Sequence, residues 1–220
     1  MARPRLFATL GVVVVLAPSA SAQQGTAPAR HHLAFGLGTA GAEFLDARQE
    51  DAYGQAIRRR ASSGTQFTFQ YGLRFNRNFE WSSSLLVPSN HAEERYGPAG
   101  TPESGWQTGF SGSYGSALFL TGFRGLLPLA DGRVNPYLDA EFGYGVIDNG
   151  EISGTDSGFA WSVAAGVEYR FTRRLSARVE GRRSVINVTS TSVYWWRLPT
   201  TLHKPEYDGV CAAVVITWGG

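Results

Sequence analysis

The chain has 220 residues with 20 Lys and Arg against 18 Asp and Glu, a formal net charge of +2. Only 17% of the residues are charged, whereas 13% are aromatic and 27 are glycine, a balance that argues against a disordered chain. Glycine costs about 1 kcal/mol at a helix position, which argues against a helical bundle. The single cysteine excludes an internal disulfide framework and a Cys-rich zinc site, and the near-neutral charge gives no reason to expect a nucleic acid partner.

The first 22 residues have the features of a secretory signal peptide. Arg3 and Arg5 precede the apolar residues 6–17, and small residues follow, which predicts cleavage between Ala22 and Gln23. The apolar stretch is shorter than the roughly 20 residues that a membrane-spanning helix needs. Without the two signal arginines the mature domain is expected to carry 18 basic and 18 acidic residues.

The mature domain, residues 23–220, is dominated by a two-residue period. Residues 66–75 alternate without exception between an apolar and a polar set, as in a strand with two different faces. The same period recurs at 33–38, 79–87, 118–124, 135–146, 159–171, 175–182 and 210–218. We therefore expect eight strands, six of them in three hairpins with short turns at 76–78, 129–134 and 172–174.

The connections between the hairpins are longer and more polar than the hairpin turns. They are expected at about 42–64, 88–105, 148–158 and 189–206. Short turns would then lie at one end of the sheet and long loops at the other, the arrangement typical of bacterial outer-membrane barrels. The predicted fold is all-β, an eight-stranded antiparallel up-and-down transmembrane β-barrel.

The period alone does not say which face points inward. In a water-soluble, lipocalin-like barrel the apolar set would fill the interior, whereas in a membrane barrel it would face lipid. Aromatic residues at the strand ends favour the membrane version, because aromatic rings suit the bilayer interface. So do the many glycines of the polar set, which would leave room in the narrow interior of an eight-stranded barrel.

The polar set also carries balanced charge. Confined ions must be paired, since an unpaired one costs several kcal/mol. Five cations and five anions predict a structural ion network in the lumen: Arg74, Arg124, Arg170, Arg178, Arg182, Glu80, Asp139, Glu141, Glu168 and Glu180. Such a filled lumen would conduct poorly, so a general porin is not expected.

One hairpin carries a family resemblance. Residues 135–145, Asn-Pro-Tyr-Leu-Asp-Ala-Glu-Phe-Gly-Tyr-Gly, and the preceding 119–124 resemble strands of the small outer-membrane β-barrel proteins, a family that includes the barrel domain of outer membrane protein A. The resemblance implies an outer-membrane location and insertion by the barrel assembly machinery. The expected assembly signal is the last strand, which departs from the family pattern by ending in Gly219-Gly220: Val210, Ala212, Val214, Ile216 and Trp218.

The sequence offers little for catalysis. None of the four histidines stands in a His-x-Ser-Asn pattern like that of the lipid A deacylases; His91 and His203 are expected in loops, and His31 and His32 before the first strand. We therefore expect no catalytic, cofactor or metal site, and Cys211 is interpreted as a small buried side chain. Cations and aromatic rings in two loops are candidate lipopolysaccharide contacts: Arg58, Arg59, Arg60, Trp195, Trp196 and Arg197.

The sequence thus favours a monomeric outer-membrane barrel with a structural or surface-interaction role, in contact with outer-membrane lipid and lipopolysaccharide. Two alternatives stay open. One is an outer-leaflet hydrolase that modifies lipid A, and the other is a soluble periplasmic barrel that binds a ligand.

Overall fold

The computed structural model describes residues 30–44, 48–50, 55–61, 64–98, 105, 107–148, 155–188 and 205–219. The predicted signal peptide and its cleavage site lie outside these residues. The described residues form ten strands: β1 (Arg30–Phe44), β2 (Arg48–Glu50), β3 (Gln55–Ala61), β4 (Gly64–Arg74), β5 (Phe79–Pro98), β6 (Gln107–Leu126), β7 (Val134–Asp148), β8 (Thr155–Arg170), β9 (Leu175–Val188) and β10 (Pro205–Trp218).

Eight of these strands close into an antiparallel barrel. The ring runs β5-β4-β1-β10-β9-β8-β7-β6 and is completed by pairing of β6 with β5. A path of paired positions that starts at Arg74 passes once around the ring and returns to β4 at Gly64, ten residues along. With ordinary strand spacings this stagger corresponds to a strand tilt of roughly 40°. The eight-stranded barrel predicted from the sequence is therefore confirmed.

The strands extend further toward the long loops than the sequence suggested. β5 and β6 are 20 residues each, so most of the predicted loop 88–105 is strand. The first loop contains β2 and β3, and β3 pairs with the far half of β5. The loop prediction failed there because residues 89–98 are polar on both faces, and a strand outside the apolar layer needs no apolar set.

Two placements of histidines are also corrected. His31 and His32 lie within β1 and not before it, and His91 lies within β5 and not in a loop. β1 begins early because Arg30 to Ala40 pair with β4 along its whole length.

The apolar set faces outward and the polar set faces the lumen. Exposed large side chains recur on each barrel strand, among them Phe35, Phe69, Phe119, Phe142, Val163, Val179 and Val214. Their neighbours in the chain are buried, including the charged side chains of Glu80, Arg124 and Glu141. A water-soluble barrel has the opposite arrangement, so this orientation excludes the lipocalin-like alternative and is that of a barrel wetted by lipid.

No helix in the described part of the chain is long and apolar enough to span a membrane.

Phe69 tests the outward face, because it lies at the centre of β4 with 41% of its surface exposed. Arg at the middle of a lipid-facing strand should destabilise the barrel by about 2–4 kcal/mol, because a charged side chain then replaces an apolar one in contact with lipid. We expect Phe69→Arg to lower the free energy of unfolding from lipid vesicles by that amount, measured by urea titration. Phe69→Leu is the matched control, and equal stability of the two variants would place this face in water.

Candidate functional site

The lumen on the short-turn side of the barrel is occupied by charged side chains. The structure places all ten residues of the predicted ion network there, and ion pairs link them into one connected set. They come from six strands, β4 to β9. The set is neutral overall, with five arginines and five carboxylates. Charge balance inside a narrow barrel is what allows so many ions to be removed from water.

Arg124 is the centre of this network and is fully buried. Its Nη1 donates to Glu80 Oε1 at 2.9 Å, and its Nη2 donates to Asp139 Oδ2 at 2.5 Å. The same Nη2 donates to Gln70 Oε1 at 2.8 Å. These contacts join β6 to β5, β7 and β4, so one guanidinium group links four strands of the barrel.

Arg182 has the same role on the opposite wall. Its Nη1 donates to Glu141 Oε2 at 2.6 Å and its Nε donates to Glu180 Oε1 at 2.9 Å. Asp139 Oδ2 lies 3.6 Å from its Nη2 and links this group to Arg124. Glu141 also accepts hydrogen bonds from Ser82 and Ser84 on β5, at 2.9 and 2.6 Å. The carboxylate thus has four lone-pair directions largely filled.

Glu168 forms ion pairs with the three arginines of the network nearest the short turns. Arg178 lies 3.1 Å from its Oε2, Arg74 lies 3.5 Å from the same atom, and Arg170 lies 3.9 Å from its Oε1. Arg74 also pairs with Glu80 at 3.1 Å and so connects this group to Arg124. One carboxylate shared by three guanidiniums leaves the positive charge in excess at this end of the lumen.

Three further residues contact this network in addition to the ten ions expected from the sequence. Gln70 contacts Arg124 and Arg178 through its carbonyl oxygen, and its amide donates to Ser84 at 2.9 Å. Tyr137 donates to Glu180 at 2.5 Å, and His32 Nε2 lies 3.2 Å from Glu80 Oε1. All three residues occupy inward-facing positions of their strands. The two-residue period of the sequence is the signal that could have identified them.

Tyr137 shows why glycine stands at lumen positions. Its ring faces the guanidinium of Arg124, 4.4 Å from the ring centroid, and that of Arg178 at 5.2 Å. A Cβ at Gly166 would come within 2.6 Å of the Tyr137 hydroxyl and ring carbon Cζ. Gly72 is related to His32 in the same way, because a Cβ there would lie 1.9 Å from the imidazole. Glycine on one strand makes space for a large ring on its neighbour.

An apolar cluster fills the lumen on the long-loop side. Along each strand that contributes to both, the cluster lies further from the short turns than the ions. Its buried members are Leu86, Leu118, Leu120, Ile147, Ala160, Ile186 and Tyr207. The Tyr207 hydroxyl on β10 hydrogen-bonds to Ser116 on β6 at 2.9 Å, across the barrel. The interior is thus bridged at two heights by different chemistry.

The remaining candidates for chemistry do not come together. His31 Nδ1 hydrogen-bonds to the Tyr71 hydroxyl at 2.7 Å, and its ring stacks on Trp218. Cys211 is a buried free thiol on β10. Within the described residues, no three His, Cys, Asp or Glu side chains could hold a metal ion.

The predicted assembly signal and loop contacts have separate locations. The side chains of the assembly signal point outward from β10, next to β1 at the barrel seam. Arg58, Arg59 and Arg60 lie in β3. Trp195, Trp196 and Arg197 lie outside the described residues.

The family model for the outer membrane protein beta-barrel domain matches residues 10–195. The chain belongs to this family, and it is a protein of the cell outer membrane. Among solved structures it is similar to Neisserial surface protein A, with 14% identity over 84% of this chain and 96% of that one and a TM-score of 0.52. OprG from Pseudomonas aeruginosa matches with 8% identity over 89% and 98% and a TM-score of 0.50. At these identities the likeness concerns the fold. Comparison with curated proteins gives no match.

Arg124→Met tests the importance of the ion network. Removing one partner from a buried pair leaves uncompensated carboxylates and should cost about 3–5 kcal/mol of unfolding free energy. Arg183→Met is the matched control, because Arg183 is 44% exposed and pairs with Glu206 at the surface. Its cost should stay below about 1 kcal/mol. Equal losses in urea titrations of the two variants would contradict a special role of the lumen pairs.

Proposed function

We propose that this protein is a closed outer-membrane barrel without catalytic activity, whose function is exerted at its outer rim in contact with lipopolysaccharide. The observation that supports this most is the filled interior. The lumen contacts run from wall to wall, as between Gln70 on β4 and Arg178 on β9 and between Tyr207 and Ser116. A barrel bridged in this way leaves its rims and long loops as the surfaces available for partners.

The outer rim is extended on one side by strands. β5 and β6 continue past the barrel body, and β3 and β2 add to the free edge of β5, giving a four-stranded projection. Arg58, Arg59 and Arg60 lie on this projection. In register, Arg59 stands opposite Glu94 and Arg60 opposite Glu93, whereas Arg58 stands opposite Arg95.

This register distinguishes the three arginines. Oppositely charged residues at paired positions neutralise one another, while like charges at paired positions concentrate charge. Arg58 is paired in register with Arg48 on one side and with Arg95 on the other, so basic positions adjoin there, and guanidinium groups bind phosphates in a bidentate manner. The phosphates of lipopolysaccharide are the ligand that a cationic site on this membrane face would meet.

A lipid A hydrolase is less well supported. Such an enzyme needs a serine nucleophile next to a base. His31 is engaged with Tyr71 and Trp218, and His32 lies against Glu80 inside the lumen. An unchanged mass profile of lipid A in cells with and without the protein would support the non-enzymatic proposal, and a loss of acyl mass would overturn it.

The filled lumen predicts a very low conductance. We expect the protein in planar lipid bilayers to give no stable ion-conducting steps, because charged and apolar side chains occupy both heights of the lumen. Truncating lumen residues at both heights, Leu86→Ala with Ile186→Ala and Glu80→Ala with Arg124→Ala, should open a leak. Truncating four outward-facing residues, Val87→Ala, Val163→Ala, Val179→Ala and Val214→Ala, should not. A steady open channel in the unaltered protein would contradict the proposal.

Changing the three arginines of β3 to serine should weaken binding of purified lipopolysaccharide to the detergent-folded protein by about tenfold. Arg58→Ser alone is expected to account for more of the loss than Arg59→Ser or Arg60→Ser. Arg183→Ser serves as the control, since Arg183 already pairs with Glu206. Binding that is unchanged in the triple variant, measured by titration calorimetry, would remove this site from the proposal.

A further inference from the structure

The rim formed by the short turns is strongly basic. Each of the three turns contains arginine: Arg77 between β4 and β5, Arg133 between β6 and β7, and Arg173 with Arg174 between β8 and β9. Arg30 opens β1 at the same end, where it pairs in register with Arg74. Both chain ends of the barrel and all three turns therefore contribute to, or border, one basic rim.

Backbone hydrogen bonds hold these turns against their neighbouring strands. The Arg170 amide donates to the Arg133 carbonyl at 2.8 Å, and the Thr217 amide donates to the Arg174 carbonyl at 2.8 Å. The Leu126 amide likewise donates to the Asn78 carbonyl at 2.8 Å. The arginines are thus carried on ordered turns at defined positions around the rim.

The rim has almost no acidic residue to neutralise it. Asp131 is the one exposed acid in the three turns, and the nearby Glu80 and Glu168 are buried in the lumen network. Among the described residues Arg77, Arg133, Arg173 and Arg174 form no ion pair, and their side chains are exposed. A cluster of solvated cations without ion-pair partners is suited to bind an anionic partner.

Charge along the barrel axis is therefore asymmetric. The long-loop segments 42–63, 89–106, 148–158 and 189–208 together contain twelve acidic and seven basic residues in the sequence. The short-turn rim has the opposite sign. The short-turn rim is therefore the end with the larger excess of basic residues in the sequence.

Aromatic side chains lie directly beside the basic rim. Phe75 and Phe79 stack with centroids 6.4 Å apart, and Phe79 stacks on Phe123 at 5.2 Å. Tyr169 and Phe171, at the end of β8 two strands around the ring from β6, meet edge to face at 5.1 Å. All five rings are exposed. Exposed rings at a strand end mark the bilayer interface, so the arginines next to them lie at the depth of lipid headgroups.

We propose that the short-turn rim binds anionic phospholipid in the membrane leaflet that faces the periplasm. The guanidinium groups of the four turn arginines would donate bidentate hydrogen bonds to headgroup phosphates, and the flanking rings would contact the upper acyl chains. The exposed rings favour lipid over a soluble acidic partner. Acyl chains can contact these rings, whereas a polyanion in solution has no apolar part that would do so. Each arginine near an anionic surface adds to the attraction, so the four together give a preference for anionic lipid.

Spin-labelled lipids test this in vesicles that contain the folded full chain. The fraction of immobilised label is compared for phosphatidylglycerol and phosphatidylcholine carrying the same spin label. We expect phosphatidylglycerol to be preferred at the barrel surface by about threefold or more, and the preference to fall in about 0.5 M salt.

Two variants of the same four turn positions test whether their charge carries the effect. Changing the turn arginines together, Arg77→Gln, Arg133→Gln, Arg173→Gln and Arg174→Gln, should abolish the preference. The matched variant Arg77→Lys, Arg133→Lys, Arg173→Lys and Arg174→Lys should keep most of it, because the positive charge of the rim is retained. Heat-modifiable gel mobility verifies that both variants are folded. Absence of a preference in the unaltered protein, or its survival in the Gln variant, would overturn the proposal.

A soluble partner is distinguished with poly-L-glutamate. If the protein binds poly-L-glutamate through the turn arginines while showing no preference among lipids, the lipid proposal is wrong and the rim belongs to an acidic periplasmic partner.

Discussion

The buried guanidinium of Arg124 is the interaction on which the lumen depends. It reaches Glu80, Asp139 and Gln70 on three other strands, and through those carboxylates it connects to every other ion of the network. A buried charge is tolerated only when its partners approach closely and their remaining hydrogen-bonding capacity is filled. Ring closure brings those partners together, because each comes from a different wall, and the pairs in turn fix how the walls face one another.

The lumen has an ionic half and an apolar half, which lie one above the other along the barrel axis. Ions occupy the half near the short turns, while Leu86, Ile186 and their neighbours occupy the half near the loops. The apolar half needs no partner geometry and tolerates variation in shape, whereas the ionic half is directional. The basic rim continues the ionic half outward, because Glu168 is shared by three arginines and leaves positive charge at that end.

Much of the fold could be predicted because a β-strand records its two environments in alternate residues. The strict alternation of 66–75 and 159–171 located their strands, and the balanced charge of the polar set identified the ten ions. Prediction failed where the alternation stopped. Residues 89–98 form strand outside the apolar layer, and the contacts of Tyr137 and Gln70 with Arg124 and Arg178 join strands distant in the sequence, which alternation does not encode.

The sequence by itself determined the number of barrel strands, the hairpin pairing and which residues share a face, because these depend on local period and on neighbours in the chain. Only the tertiary structure decided that the polar face is the inside, which carboxylate meets which arginine, and why Gly166 must lack a side chain beside Tyr137. Those facts depend on the ten-residue stagger with which the ring closes. Stagger is a property of all eight strands together, and no single segment encodes it.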